Sequence, residues 1–267
     1  MKNVIVLATD HNHIKYVKYN INNIRSTHGD IDIVVLHDKC YSEIINNELN
    51  KYNIISYPVD CLKINDGPFY IKYHLFDVFF KKWENILYID SDTMIFSNLN
   101  PIFEMLNENN LFFADYEKCK VLNFFTSDCP QDLGNNDIYL DLLNEENINK
   151  QGFNSGILLY KSSIIQEDTI SKLYKLHEKY IEVNKHGKEQ NILWKFKPGT
   201  DQPIINLIFA NIVKQMPNNY FSFYSNISDS TVISHFCRWD APWFNERYGY
   251  RINMKYIDYY NQMLNLI

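Results

Sequence analysis

Residues 85–96 read NILYIDSDTMIF. The apolar run Ile86-Leu87-Tyr88-Ile89 leads straight into Asp90-Ser91-Asp92, and a second short apolar run follows. Four consecutive apolar residues with a β-branched bias read as a strand buried on both faces. Two carboxylates at the end of such a strand are costly unless a cation sits between them. One residue apart on an extended chain, their side chains leave the same side and reach a common ion. Hard carboxylate oxygens without thiolates suit Mg²⁺ or Mn²⁺. A lone D-x-D is more often a solvated strand end, so the flanking sequence has to carry the reading.

Outward from that stretch the chain alternates strand and helix. Residues 3–8 (NVIVLA) form a buried-strand signal, and Thr9-Asp10-His11-Asn12 follow as a polar loop. Residues 14–25 carry apolar or aromatic side chains at helical spacing. Strands are predicted over 31–36 and 53–57, with helices over 44–49 and, after Pro68, over 69–80. The pattern indicates a mostly parallel central sheet flanked by helices, in a single Rossmann-like α/β domain. In such sheets ligands bind beyond the carboxyl ends of the strands, where the loop after Ala8 and the Asp90 turn meet.

Asn100-Pro101 marks a helix start within 98–105, and a strand over 111–114 ends at Asp115. Residues 116–150 are irregular, with Pro130 and Gly134, and read as a binding lid. A strand over 153–160 is entered through Asn154-Ser155-Gly156. An amphipathic helix covers 170–183, and Asp201-Gln202-Pro203 precede a helix over 204–210. A strand over 231–235 ends at His235, and a helix over 256–266 follows. No repeat, linker or low-complexity tract interrupts the 267 residues, which are expected to form one domain. Residues 1–115 or so form its nucleotide-binding half and 116–267 the half that receives the acceptor.

Hydrophobic content of 46% with 22% charged residues is that of an ordinary globular protein. A net charge of −6, with no basic run, argues against a nucleic-acid partner. Aromatics reach 15%, which suits sugar handling, although abundant Asn, Ile, Lys and Tyr also follow from AT-rich coding. The five cysteines are odd in number, scattered and without a C-x-x-C pair, which reads as reduced thiols in a cytoplasmic protein. The N-terminal apolar segment is too short for a secretory signal, and no run has the length of a membrane span.

Five polar signals thus fall at strand ends or helix starts: Asp10/Asn12, Asp90/Asp92, Asn154-Ser155-Gly156, Asp201-Gln202 and His235. Singly, each has a structural reading: a helix start, a solvated strand end, a turn, an N-cap, a satisfied histidine. Together and in this order, the segments VLATDHN, ILYIDSDTMIFSNL, FNSGILLY, TDQPIIN and SHFCRWDAPW resemble glycosyltransferase family eight, the glycogenin-like and lipooligosaccharide-galactosyltransferase-like enzymes. They cover about residues 4–243.

The resemblance implies a GT-A fold and transfer of a hexose from a UDP-sugar (UDP-glucose or UDP-galactose type) to a glycan or glycoprotein acceptor. It also implies Mn²⁺ (or Mg²⁺) and retention at the anomeric carbon, with a front-face course. Asp90, Asp92 and His235 match the family's metal ligands. Ala8, Thr9, Asp10 and Asn12 match the loop that holds uridine, with His13 where a base-stacking Tyr often stands. Lys72 matches a basic residue near the donor phosphates or sugar, and Ser91 lies between the metal ligands. Asp115, Asn154, Ser155, Asp201 and Gln202 match positions around the donor sugar, with Asn154, Asp201 and Gln202 nearest the chemistry. A homodimer and self-glycosylation on one of the 20 tyrosines are both left open.

The final motif departs from the family pattern. It reads HFCRWDAPW, with Arg238 for the usual Gly and Ala241 for the phosphate-binding Lys. Arg238 has the reach to contact the same phosphates. The loss of that Lys raises a second reading, a nucleotide-sugar-binding protein impaired in transfer. A nucleotidyltransferase, which also uses paired Asp residues, lacks a Gly-rich phosphate loop here: there are 8 glycines and no G-x-G-x-x-G.

Overall fold

The computed structural model describes residues 2–11, 13–60, 68–125, 141–189, 201–218, 220–223 and 229–235. A seven-stranded sheet runs through it in the order β3-β2-β1-β4-β7-β6-β8. Its strands are β1 (Asn3–Thr9), β2 (Asp32–Asp38), β3 (Ile55–Val59), β4 (Asn85–Ile89), β6 (Phe112–Lys120), β7 (Gln151–Lys161) and β8 (Lys214–Gln215). Strands β3, β2, β1 and β4 are mutually parallel, whereas β7 lies antiparallel between β4 and β6. A second sheet has the order β5-β10-β9, from β5 (Thr93–Ile95), β9 (Phe221–Phe223) and β10 (Ile233–His235).

The period of two in the apolar strands builds two cores, one on each face of the main sheet. Val4, Val6, Val34, Leu36, Ile86 and Tyr88 face one side, and Ile5, Leu7, Ile33, Val35, Leu87 and Ile89 the other. This is why these strands read as unbroken apolar runs rather than alternating ones. On the second side lie α1 (Ile14–His28), α2 (Ser42–Leu49), the single turn α3 (Asn100–Phe103) and the small sheet. On the first lie residues of the segment 70–83, the turn α4 (Leu122–Phe125), α5 (Thr169–Glu189) and α6 (Asp201–Phe209).

Three local expectations are corrected. The helix expected over 69–80 is two 3₁₀ segments, Pro68–Phe76 and Val78–Lys82. Tyr70, Tyr73 and Phe76 are buried at the three-residue spacing of the tighter helix, with Ile71 and Leu75 buried between them. Asp77 breaks the run by accepting the N–H of Phe79 at 2.8 Å. The irregular stretch expected from residue 116 instead continues β6 to Lys120 and then forms α4. Asp115 therefore lies within a strand, not at its end. Side chains 115–120 alternate between half-buried and exposed, so this half of β6 lacks the two-sided apolar signature that revealed its first half. The helix expected over 98–105 shrinks to the single turn α3. The helix expected over 256–266 lies outside the described residues.

Among the described residues no helix is long and apolar enough to cross a membrane.

Candidate functional site

The order 3-2-1-4 places β1 between β2 and β4: the chain first steps one way across the sheet to β2 and β3, then crosses back past β1 to β4, so its direction reverses between β1 and β4. Leu7 pairs with Ile89, which brings Ala8, Thr9 and Asp10 alongside Asp90 at the carboxyl ends of the two strands. Past Asp90 the chain turns through Ser91 and Asp92 into β5. Buried asparagines of α1 hold that turn from behind. Asn20 donates its Nδ2–H to the Ser91 carbonyl at 3.1 Å, and Asn23 Oδ1 accepts the Ile95 N–H at 3.2 Å.

Strand β10 pairs antiparallel with β5, setting His235 opposite Thr93. Its Nε2 lies 3.1 Å from Asp92 Oδ1 and 3.7 Å from Asp90 Oδ2. One ligand atom from each of Asp90, Asp92 and His235 lies within 4.8 Å of the others. The imidazole fits because residue 156 is glycine: a Cβ there would lie 2.0 Å from His235 Cε1. Two carboxylate oxygens and an imidazole nitrogen converging without a thiolate fit Mn²⁺ or Mg²⁺.

Lys72 Nζ approaches the group from the other side, 2.9 Å from Asp90 Oδ2 and 3.5 Å from Asp201 Oδ2. Burial opposes its charge, but Asp201 and Asp90 outweigh that and hold the ammonium above its usual pKa range. The buried Tyr88 hydroxyl donates to Asp90 Oδ1. Burial raises both Asp90 and Asp92. For Asp92, the charge and hydrogen bond of His235 win and hold it low; for Asp90, burial and the Asp92 charge win over Lys72 and hold it high. Two carboxylates driven apart in this way suit a site built for a cation.

Strand β7 supplies the next wall. Between the pairs Ala114↔Leu158 and Tyr116↔Phe153, β6 places Asp115 alone against Asn154, Ser155, Gly156 and Ile157. Across this irregularity β7 keeps its contact with β4, where the Gly156 carbonyl accepts the Asp90 N–H at 2.8 Å. Ser155 Oγ donates to Asp201 Oδ2 at 2.7 Å, and its backbone N–H donates to Gln202 Oε1 at 3.2 Å. Asp201 is thus the first residue of α6 and also a buried partner of Ser155 and Lys72. Asn154 Oδ1 accepts the Gly156 N–H at 2.8 Å.

The structure brings together Lys72, Asp90, Asp92, Asn154, Ser155, Asp201, Gln202 and His235, with Ser91 in the turn itself. Asp115 lies across the irregularity from these β7 residues, where its carboxylate accepts from Gln215 Nε2 and burial raises its pKa. His13 is tied to Asp10, whose Oδ1 accepts the His13 N–H at 2.9 Å and lies 2.7 Å from its Nδ1. The neighbouring ring pair is His11 with Tyr41, at 4.4 Å between centroids. Asn12 and Arg238, with Ala241, lie outside the described residues. Sequence reasoning missed Tyr88, Asn20 and Glu117. Glu117 follows Asp115 at an alternate strand position, and its carboxylate accepts from both Asn154 Nδ2 and Gln202 Nε2.

The comparisons with known proteins give the class to which this sheet and candidate site belong. A model of glycosyl transferase family 8 matches residues 4–247, and the chain belongs to that family. A lipopolysaccharide 1,2-glucosyltransferase of Escherichia coli is 25% identical over 254 residues. That match covers 86% of this chain and 66% of the relative, so the chain spans just under two thirds of the relative's length. Among solved structures, galactosyltransferase LgtC in complex with donor and acceptor sugar analogs has a TM-score of 0.63 at 17% identity, covering 99% of this chain and 96% of its own. Glycosyltransferase GlyE of Streptococcus pneumoniae TIGR4 has a TM-score of 0.61 at 18% identity, covering 99% and 63%. These likenesses establish the GT-A type of fold expected from the sequence.

Proposed function

We propose that the protein is a metal-dependent, retaining glycosyltransferase that moves a hexose from a UDP-sugar to a glycan acceptor. The observation that carries this reading is the convergence of Asp90, Asp92 and His235, with Lys72 and Asp201 directly behind them. Asp90, Asp92 and His235 would hold Mn²⁺ or Mg²⁺, which when bound supplies Lewis-acid stabilisation to a diphosphate leaving group. Residues 8–13 at the end of β1 would receive the uridine. Lys72 adds a fixed positive charge beside the donor, useful as negative charge grows on the departing UDP. Asn154, Asp201 and Gln202 would meet the hexose. Asp115, held by Gln215, would line the sugar's far side.

On this reading the chain is one domain, with residues 1–115 holding the donor and 116–267 meeting the acceptor. The lipopolysaccharide glucosyltransferase among its relatives supports a bacterial surface glycan as that acceptor. Free thiols at Cys40 and Cys119 support a cytoplasmic location. The test is UDP release from a panel of UDP-sugars with Mn²⁺, repeated in excess chelator. Release that needs metal and selects one sugar supports the reading. UDP binding without release from any sugar would leave a nucleotide-sugar-binding protein instead.

A further inference from the structure

We propose that Glu117 is a positioning residue: it fixes which end of the Asn154 and Gln202 side-chain amides faces a bound sugar. The proposal rests on the transferase reading above and deepens it. A side-chain amide has two unlike ends, an oxygen that only accepts and an NH₂ that only donates. Presenting the amide oxygen to a ring oxygen, which only accepts, replaces a hydrogen bond with a repulsive contact, and presenting the wrong end to a hydroxyl reverses the hydrogen bond it can make.

Both amides are pinned at both ends. The oxygen of Asn154 accepts the Gly156 N–H at 2.8 Å, and the oxygen of Gln202 accepts the Ser155 N–H at 3.2 Å. A backbone N–H donates only, so the oxygens belong there. The NH₂ groups converge instead on Glu117 Oε1, at 3.1 Å from Asn154 Nδ2 and 3.4 Å from Gln202 Nε2. A carboxylate accepts only, so it selects the same orientation from the other end. Each amide keeps a second N–H for a ligand, by its valence.

The position of Glu117 is itself built. The Gln151 side chain donates to the Glu117 carbonyl and, at 3.0 Å, to the Cys119 carbonyl. These bonds hold the distal half of β6 across the bulge of β7, where the regular ladder is interrupted. Among the described residues the Glu117 carboxylate forms no ion pair and caps no helix; its partners are the Asn154 and Gln202 amides. It stands two residues from Asp115 on the same side of β6, and its charge adds to the cost of ionising Asp115. The two amide N–H groups offset that repulsion, and they belong to residues at the mouth of the sugar site.

The experiment compares wild type, Glu117→Ala, Glu117→Gln, Gln202→Ala and the double variant Glu117→Ala/Gln202→Ala. Three quantities are read: kcat for UDP release, affinity for UDP with Mn²⁺, and the ¹⁵N side-chain NH₂ resonances. Glu117→Ala should lower kcat about 10-fold to 100-fold, the scale of a misplaced reacting group. UDP affinity should stay within about twofold, because Glu117 touches no proposed nucleotide or metal residue. Glu117→Gln, which keeps one acceptor oxygen, should recover part of the loss. The double variant should be slower than Gln202→Ala by less than Glu117→Ala is slower than wild type, since only Asn154 is then left for Glu117 to orient. The NH₂ peaks of Asn154 and Gln202, assigned with Asn154→Asp and Gln202→Glu, should move in Glu117→Ala. Unmoved NH₂ peaks, or losses that multiply in the double variant, overturn the proposal. Absence of UDP release from wild type tells against the transferase reading instead, and the NH₂ resonances then still decide for or against Glu117.

Discussion

The His235 imidazole occupies the space that a side chain on Gly156 would need. A Cβ at residue 156 would lie 2.0 Å from His235 Cε1 and 2.5 Å from its Nδ1. Strand β7 and strand β10 come from different sheets, yet one glycine lets them meet at the position proposed for a metal ligand. The ring is buried and cannot simply swing into solvent. Gly156→Ala should therefore drive Nε2 away from Asp92 and weaken Mn²⁺ binding about 10-fold or more, the cost of losing roughly one hydrogen bond to a charged group. Electron paramagnetic resonance titration of Mn²⁺ measures this. Wild-type Mn²⁺ affinity in the alanine variant would separate His235 from the metal.

Removal of the metal is the more direct probe. Excess chelator should abolish UDP release, and added Mn²⁺ should restore it. Asp92→Asn keeps the size of the ligand and removes its charge, so it should lose most turnover at ordinary Mn²⁺ and regain part of it at high Mn²⁺. Full turnover in chelator would exclude the proposed role for Asp90, Asp92 and His235 together.

Much of the site was legible because its residues stand where apolar runs stop. Ile86–Ile89 and the run after Gly156 announce buried strands, so Asp90 stands out as a polar group at a strand end and Asn154 as one just before an apolar run, although β7 in fact begins earlier, at Gln151. Lys72 came from the family resemblance, and it lies on a 3₁₀ segment rather than the helix expected, a difference that a dense apolar run does not reveal. Glu117 stayed hidden because the outer half of β6 alternates polar and exposed side chains, the pattern of a loop as much as of a strand. Tyr88 was hidden by the opposite cause. It read as one more apolar residue in a buried run, while its hydroxyl is spent on Asp90. Asn20 lay within a helical face, where a polar residue reads as solvent-facing, but it is fully buried and holds the Ser91 carbonyl.

Stability should fall on mild acidification for a reason unrelated to the site. His37 is buried on β2, with Nδ1 3.1 Å from the Asp38 carbonyl and Nε2 2.8 Å from Ser56 Oγ. Burial lowers its pKa from the usual 6.5, and burial likewise lowers His74 and His28. These rings are neutral in the fold but accept protons readily when the chain unfolds. The unfolded state therefore binds more protons below pH about 6.5, and stability decreases as pH falls from there toward the folded values. Each histidine contributes at most about 1.4 kcal/mol per pH unit. Urea midpoints between pH 7.5 and about 5 measure the slope. His37→Gln should make it shallower; an identical slope in that variant would remove His37 from the account.

Asp201→Asn separates chemistry from folding. Asn starts a helix about as well as Asp. It also still accepts from Ser155, but it loses the ionic contact to Lys72. A stability loss of about 1.5–3 kcal/mol is expected, the range for a hydrogen bond to a charged group. Turnover should fall about 10²-fold while UDP affinity barely changes, as for one group acting on the transition state. Unchanged kcat would leave Asp201 as a structural residue of α6.

Lys72 makes a prediction in which two observables move in opposite directions. Its ammonium lies between Asp90 and Asp201, with 12% of its side chain exposed. Three carboxylates (Asp90, Asp92 and Asp201) gather here, and Lys72 offsets their charge beside the position proposed for the metal. Lys72→Met keeps the length of the side chain and removes that charge. Without metal, the variant should lose about 3 kcal/mol, the low end for breaking a buried ion pair by removing one partner. A divalent ion would then supply the missing positive charge, so Mn²⁺ should bind the variant more tightly than wild type and raise its melting temperature by a larger step. Turnover should nevertheless fall, because the ammonium is no longer beside the donor as charge grows on the leaving group. Tighter Mn²⁺ binding with slower UDP release is the expected pair. Calorimetric titration of Mn²⁺ together with kcat checks it: weaker metal binding in Lys72→Met would mean that Lys72 shapes the ligands rather than competing for their charge.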